Sequence, residues 1–271
     1  MATRQLERLD KILVSRGYVS SRGEAADMIK RGLVRVMGVA REKPSSMFDP
    51  ESAVDVNSGD GKRWVGRGAH KLLKALDEWQ IDPSGADCVD IGASTGGFTQ
   101  VLIERGASRV AAVDVGYGQL AWELRRDPRV KVMDRVNARY VTADDVGWLS
   151  DIVVMDASFI SLRVLLPNIM ELLREDGIII ALVKPQFEVG RERVGKGVVR
   201  DKALHVDVLT SVAYFVQENC GLVLQGAAYS PVKGAEGNIE FIFLISRESD
   251  SPPPYTVDFV ALVDEAHANL E

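Results

Sequence analysis

The stretch Asp90-Ile91-Gly92-Ala93-Ser94-Thr95-Gly96-Gly97-Phe98-Thr99 decides the reading of this chain. A short apolar run, Cys88-Val89, precedes it, and residues 100–105 after it read as helix. A strand that ends in a glycine-rich turn and enters a helix can receive a ligand. Glycine lets the backbone take positive φ and come close to a bound group. The unpaired N–H groups of the first helical turn then favour an anion. That anion could be a phosphate or the carboxylate of an amino acid.

The glycine spacing separates the two cases. A dinucleotide fold wants G-x-G-x-x-G, but position 94 is Ser. A phosphate loop wants G-x-x-x-x-G-K, but Phe98 follows Gly97. The remaining pattern, D-x-G-x-x-x-G-G-F, resembles the first motif of S-adenosylmethionine (SAM) dependent methyltransferases. That resemblance implies that Asp90, Gly92, Ser94, Thr95, Gly96, Gly97 and Phe98 wrap the methionine end of SAM, with packing as the alternative for Phe98. The run Arg109-Val110-Ala111-Ala112-Val113 ends in Asp114, an acid suited to ribose hydroxyls. Another run, Val130-Lys131-Val132-Met133, ends in Asp134, which could accept from an adenine amine.

Working outward, the chain has 271 residues, 46% of them apolar, enough for one large core and a small second one. Its net charge of −6 is unevenly spread: residues 1–71 hold 14 Lys and Arg against 9 Asp and Glu, the remainder 19 against 30. A basic front on an acidic body argues for nucleic-acid binding confined to one module. Two cysteines and three histidines without paired spacing give no disulfide and no metal site. No signal region opens the chain and no apolar run is long enough to span a membrane. These features point to a cytoplasmic protein without a membrane partner.

The front reads as two short helices, 5–15 and 21–31, a strand at 33–36, a turn at Met37-Gly38 and a strand at 54–56; residues 44–52 read as loop and 57–63 as polar linker. The stretches Arg8-Leu9-Asp10-Lys11-Ile12-Leu13, Ser20-Ser21-Arg22-Gly23-Glu24-Ala25 and residues 29–38 resemble the RNA-binding domain named after small-subunit ribosomal protein S-four. Met37 departs from the usual Asn-Gly turn. Arg4, Arg8, Lys11, Arg22 and Lys30 are the candidates for phosphate contact, which positions RNA without reading its sequence.

From Trp64 onward strands and helices alternate. Strands are expected at 87–91, 109–114, 130–133, 151–155, 178–183, 222–228 and 239–245, with helices including 68–79 and 256–270. The fold class is α/β: a doubly wound, seven-stranded, Rossmann-like methyltransferase sheet behind a small α-rich RNA-binding domain. The expected boundaries are 1–60, a linker at 61–66, a catalytic domain at 67–250 and a C-terminal extension at 251–271, with Pro252-Pro253-Pro254 as spacer.

Ligands in open α/β sheets bind beyond the carboxyl ends of the strands. The fourth strand ends in Asp156 and the fifth in Lys184; Glu240 reads as a charge inside the apolar seventh, and Lys71 lies on the helix before the first. Lys71, Asp156, Lys184 and Glu240, in that order, resemble the tetrad of ribose 2′-O-methyltransferases with the FtsJ-type fold. With Val65-Gly66-Arg67-Gly68-Ala69-His70-Lys71-Leu72, residues 156–162 and Lys184-Pro185-Gln186-Phe187-Glu188, the whole chain resembles the TlyA family, also named hemolysin A, of rRNA cytidine-2′-O-methyltransferases. The resemblance implies SAM as cofactor, ribosomal RNA or a ribosomal subunit as partner, no metal, and Lys184 as general base. Burial and the nearby Lys71 ammonium favour a neutral lysine. Asp156 favours the charged one, so its expected task is to orient Lys184, while Glu240 holds Lys71 or the ribose. Arg67 and the loop residues Arg191 and Arg193 complete the candidate RNA contacts, the long connection 186–203 being a candidate flap. Competing readings are a non-catalytic RNA-binding protein and a pore-forming hemolysin.

Overall fold

The structure, a computed structural model, describes residues 6–16, 18, 19, 21–30, 32–41, 43–50, 52, 54–56, 64–190, 197–234, 236–247 and 257–270. Arg4, Arg191, Arg193, the linker at 57–63 and the triple proline lie outside the described residues. The chain divides into two compact units, Met1–Arg67 and Gly68–Glu271.

In the first unit, helices Leu9–Ser15 and Arg22–Lys30 share a core with a three-stranded antiparallel sheet of Val39–Ala40, Val34–Val36 and Val54–Val56. Leu9, Ile12 and Leu13 repeat at helical spacing and are buried, as are Ala25 and Ile29. Val34 and Val36 point inward and Arg35 outward, the period of a half-buried strand. Met37 at φ 53 and Gly38 at φ 78 make the turn, so a methionine holds a left-handed position that Asn would take at less cost. The loop reading of 44–52 needs one correction. Met47–Phe48 pairs antiparallel with Glu7–Arg8, a ladder too short to leave a periodic signal.

The second unit is built on seven strands: β1 (Asp87–Ile91), β2 (Arg109–Asp114), β3 (Val130–Asp134), β4 (Ser150–Met155), β5 (Leu173–Val183), β6 (Leu222–Tyr229) and β7 (Phe241–Arg247). They lie in the order β6-β7-β5-β4-β1-β2-β3, all parallel except β7, which runs antiparallel to β5 and β6. The main helices are α1 (Ala69–Glu78), α2 (Gly97–Glu104), α3 (Leu162–Ile169), α4 (Lys202–Cys220) and α5 (Phe259–Leu270). Leu165 and Ile169 of α3, Leu209 and Val212 of α4 and Val263 of α5 pack with Val153, Met155, Ile179 and Phe243 on one face of the sheet. The intervening Ile152, Val154 and Ile180 are buried as well. A central strand covered on both faces therefore reads as an unbroken apolar run. Among the described residues no helix is long and apolar enough to cross a membrane.

Glu240 is not inside the seventh strand. β7 begins at Phe241, and the Glu240 carbonyl accepts from Ser230 N–H at 2.8 Å just beyond the Tyr229–Phe241 pair. Ile239 and Phe241, both buried, made the position look interior. The strand order reverses between β1 and β4, which opens the crevice beyond their carboxyl ends.

Candidate active site

The glycine turn occupies that crevice. β1 ends at Ile91, and α2 starts at Gly97 after Gly96 at φ 98. At Gly92, φ 82, a Cβ would stand 3.0 Å from the Asp156 carbonyl and 3.0 Å from Ala157 Cα, so the turn can lie against the end of β4 only as glycine. A Cβ on Gly96 would run into Leu120 and Leu124, which makes that glycine a packing requirement of the chain itself. Ser94 and Thr95 are exposed at the tip, while Gly97 and Phe98 are buried. Phe98, at 3% exposure, is part of the core.

Asp90 anchors the turn. Its Oδ2 accepts from Thr99 N–H at 2.9 Å and from Thr99 Oγ1 at 2.6 Å. Burial pushes its carboxyl up to about 7, against the pull of the Thr99 bonds. Its Oδ1 is buried without a hydrogen-bond partner. A buried polar atom left open at the head of such a turn fits a ligand that brings its own donor, as the amino end of SAM would. Asp114 and Asp134 face each other in register at the ends of β2 and β3. Asp114 accepts from Ser94 N–H at 2.8 Å and Gly116 N–H at 2.7 Å, and Asp134 pairs with Arg125. Both acids therefore also shape the loops around the crevice.

The four candidate catalytic side chains come together. Lys71 Nζ lies 2.7 Å from Glu240 Oε2 and 3.1 Å from Asp156 Oδ2, and Lys184 Nζ lies 2.6 Å from Asp156 Oδ1. The order in space is Glu240–Lys71–Asp156–Lys184. Two ammonium and two carboxylate groups cancel formally, which allows this much charge to be buried. Lys71 and Lys184 are 6% exposed and Glu240 3%. Burial acts to lower the Lys71 value, but Asp156 and Glu240 outweigh it and hold it above the ordinary lysine range. Burial acts to raise Asp156, but Lys71 and Lys184 outweigh it and hold its carboxyl below the usual range. Lys184 Nζ also donates to Ser158 Oγ at 3.0 Å and to the Asp156 carbonyl at 3.3 Å. That carbonyl is the atom against which Gly92 packs, so the amine and the glycine turn meet at one residue.

Ser158 and Thr99 escaped the sequence reading, although both stand inside stretches it singled out; a hydroxyl close in sequence to a candidate acid was the available signal. Phe159 is 90% exposed at φ 63, its ring 5.2 Å from that of Phe187. Cys88 is buried in β1, which pushes its thiol up to about 12. Among the described residues no group of His, Cys, Asp and Glu could hold a metal ion.

In the first unit, Lys11 and Lys30 are exposed, and Arg67 is half-buried. Arg8 and Arg22 both clasp Asp10, at 2.8 and 3.0 Å. The Arg8 hydrogen bond, outweighing burial and joined by Arg22, holds the Asp10 carboxyl down at about 2. These two arginines thus have a structural task besides any contact with RNA.

The strand order, the glycine turn and the acids closing β2 and β3 define a class, the Rossmann-like methyltransferases. Residues 64–247 match the model of the FtsJ-like methyltransferase family, and residues 7–54 match the S4 domain. The chain is 46% identical over 244 residues to the 16S/23S rRNA (cytidine-2′-O)-methyltransferase TlyA of Mycobacterium tuberculosis, covering 90% of this chain and 91% of that one. It is 37% identical over 237 residues to Hemolysin A of Brachyspira hyodysenteriae, covering 87% and 98%. A solved structure from Streptococcus thermophilus superposes with a TM-score of 0.82 at 38% identity, covering 98% of each chain. The chain belongs to the TlyA family of FtsJ-like methyltransferases.

Proposed function

We propose that this protein methylates the 2′-hydroxyl of a cytidine ribose in ribosomal RNA, with SAM as methyl donor and a ribosomal subunit or its RNA as partner. The observation that carries the reading is the buried chain Glu240–Lys71–Asp156–Lys184, whose last amine bonds the same Asp156 carbonyl against which Gly92 of the glycine turn packs. When bound, SAM supplies a methyl group already activated by its sulfonium, so the reaction asks for no metal. Asp90 and residues 92–97 would hold its amino-acid end, with Asp114 and Asp134 toward ribose and adenine.

The protein's own task is to remove a proton and fix geometry. Lys184, once its ammonium has released a proton, takes the 2′-hydroxyl proton at Nζ and is again an ammonium, which Asp156 stabilises at 2.6 Å. Lys71 offsets the Asp156 charge from the other side, and Glu240 fixes Lys71. Rigid placement of hydroxyl and base supplies a further share of the rate. Phe159 offers an exposed ring to a base beside this site. Lys11, Lys30, Arg8, Arg22 and Arg67, together with Arg4, Arg191 and Arg193, would bind phosphates. Such a reaction belongs in the cytoplasm.

The test is incubation of the protein with tritiated SAM and unmodified ribosomal subunits, followed by mapping of the label. Label on the ribose of a cytidine is the expected result. Label on a base, or none with SAM bound, overturns the proposal.

A further inference from the structure

Glu188 is a charged residue that the chemistry above leaves unused, yet its side chain is only 1% exposed. It sits at the end of the short helix Pro185–Glu188, directly after Lys184. Its Oε1 accepts from Leu162 N–H at 2.7 Å, and its Oε2 accepts from Ser161 Oγ at 2.6 Å. Ser161 is the N-cap of α3, and its Oγ accepts in turn from Arg163 N–H at 3.1 Å. A carboxylate at the start of α3 satisfies an orphan N–H and complements the helix dipole.

The partners of Glu188 belong to the segment that follows β4, which also carries Asp156 and Ser158. Two segments far apart in sequence are therefore joined at three levels. At the site, Lys184 Nζ meets Asp156 and Ser158. In the middle, the Phe187 ring meets that of Phe159. At the far end, Glu188 meets Ser161 and Leu162. The middle rung is open to solvent and Phe159 stands in the left-handed region, so it gives the segments little rigidity of its own. The buried end rung has the two charge-assisted hydrogen bonds.

We propose that Glu188 is a positioning residue for methyl transfer: by bonding Ser161 and the Leu162 N–H it fixes the Lys184 segment against the Asp156–Ser158 segment and so aims the Lys184 amine. The inference rests on the assignment of Lys184 as base. A misplacement of about 1 Å by a change outside the reacting groups can cost about 10²-fold in rate. Cofactor affinity depends on the turn at 92–97, which Glu188 does not touch.

The experiment measures single-turnover transfer from tritiated SAM to unmodified ribosomal subunits, SAM affinity by calorimetry, and thermal unfolding, for wild type, Glu188→Ala, Glu188→Gln and Ser161→Ala. Glu188→Ala should lower the transfer rate about 30–100-fold with the SAM dissociation constant within about threefold. Glu188→Gln keeps an acceptor for Leu162 N–H and can donate to Ser161 Oγ, so it should restore the rate to within about fivefold of wild type. If Glu188→Ala does not fold, Ser161→Ala carries the test, with an expected loss of about 3–10-fold at unchanged SAM affinity. Transfer by Glu188→Ala at the wild-type rate overturns the inference, as does a loss explained wholly by weaker SAM binding, or a Glu188→Gln rate no better than alanine. An inactive wild type with intact SAM binding instead sinks the proposed function.

Discussion

Each unit contains an acid held between two cations, Asp10 in the front and Asp156 in the body, and these two arrangements differ in a way that separates binding from chemistry. In the front unit, Asp10 lies between Arg8 and Arg22, whose side chains are 39% and 55% exposed. In the body, Asp156 lies between Lys71 and Lys184, whose side chains are each 7% exposed. A guanidinium keeps its charge at any pH a protein meets. Arg8 and Arg22 can lock a fold and face phosphates, but they cannot exchange a proton. An ammonium out of water is compact and can give up a proton under local control. Acid and spacing are alike; burial and the choice of cation make one a clasp and the other a candidate acid–base site.

The most severe way to break the comparison is to remove the acids. Asp156→Asn leaves two buried amines short of a counter-charge, and methyl transfer should fall about 10²–10³-fold in single-turnover assays. Stability should fall by about 3 kcal/mol in denaturant unfolding. The double change Asp156→Asn with Lys184→Met should regain part of the stability and none of the rate. Asp10→Asn leaves two arginines that water can reach, so it should cost only about 1–2 kcal/mol and leave transfer to a small RNA substrate within about threefold.

A smaller effect follows from pH. Asp90 is raised to about 7 from an ordinary value of 3.8, so between those values the folded body holds a proton that the unfolded chain has lost. The body's stability should therefore fall as pH rises from about 4 to about 7, and Asp90→Asn should flatten that slope in thermal unfolding. Asp10 has the opposite sign. Held at about 2 against 3.8, it stabilises the folded front unit above pH 4, and that contribution is lost as pH falls toward 2. The smallest change expected is for Arg8→Lys. It keeps the charge but loses the fork on Asp10, and RNA affinity at fixed salt should drop less than about threefold.

Much of the body was legible because its physics is local. Strands such as 178–183, buried on both faces, must be apolar throughout, and the polar residues Asp156 and Lys184 that end them stand out against that run. The clusters were less legible. Glu188 meets Ser161 across 27 residues, and Arg22 meets Asp10 across 12, and no periodicity encodes such meetings. His205 and His267, 3.0 Å apart between α4 and α5, are buried together where the sequence offered only isolated histidines. Glu240 was misplaced by its apolar neighbours, since a residue just before a buried strand looks like one within it. The front clasp was invisible because its arginines read as simple basic residues.

Lys184→Arg tests the central claim most directly, since it installs the front unit's cation in the body's site and keeps the charge beside Asp156. Single-turnover transfer of tritium from SAM to the ribose of unmodified subunits, read beside SAM affinity, is the measurement. The account predicts a loss of at least about 10³-fold with SAM binding within about threefold, because a guanidinium cannot take the 2′-hydroxyl proton. Turnover by Lys184→Arg within about tenfold of wild type would contradict it.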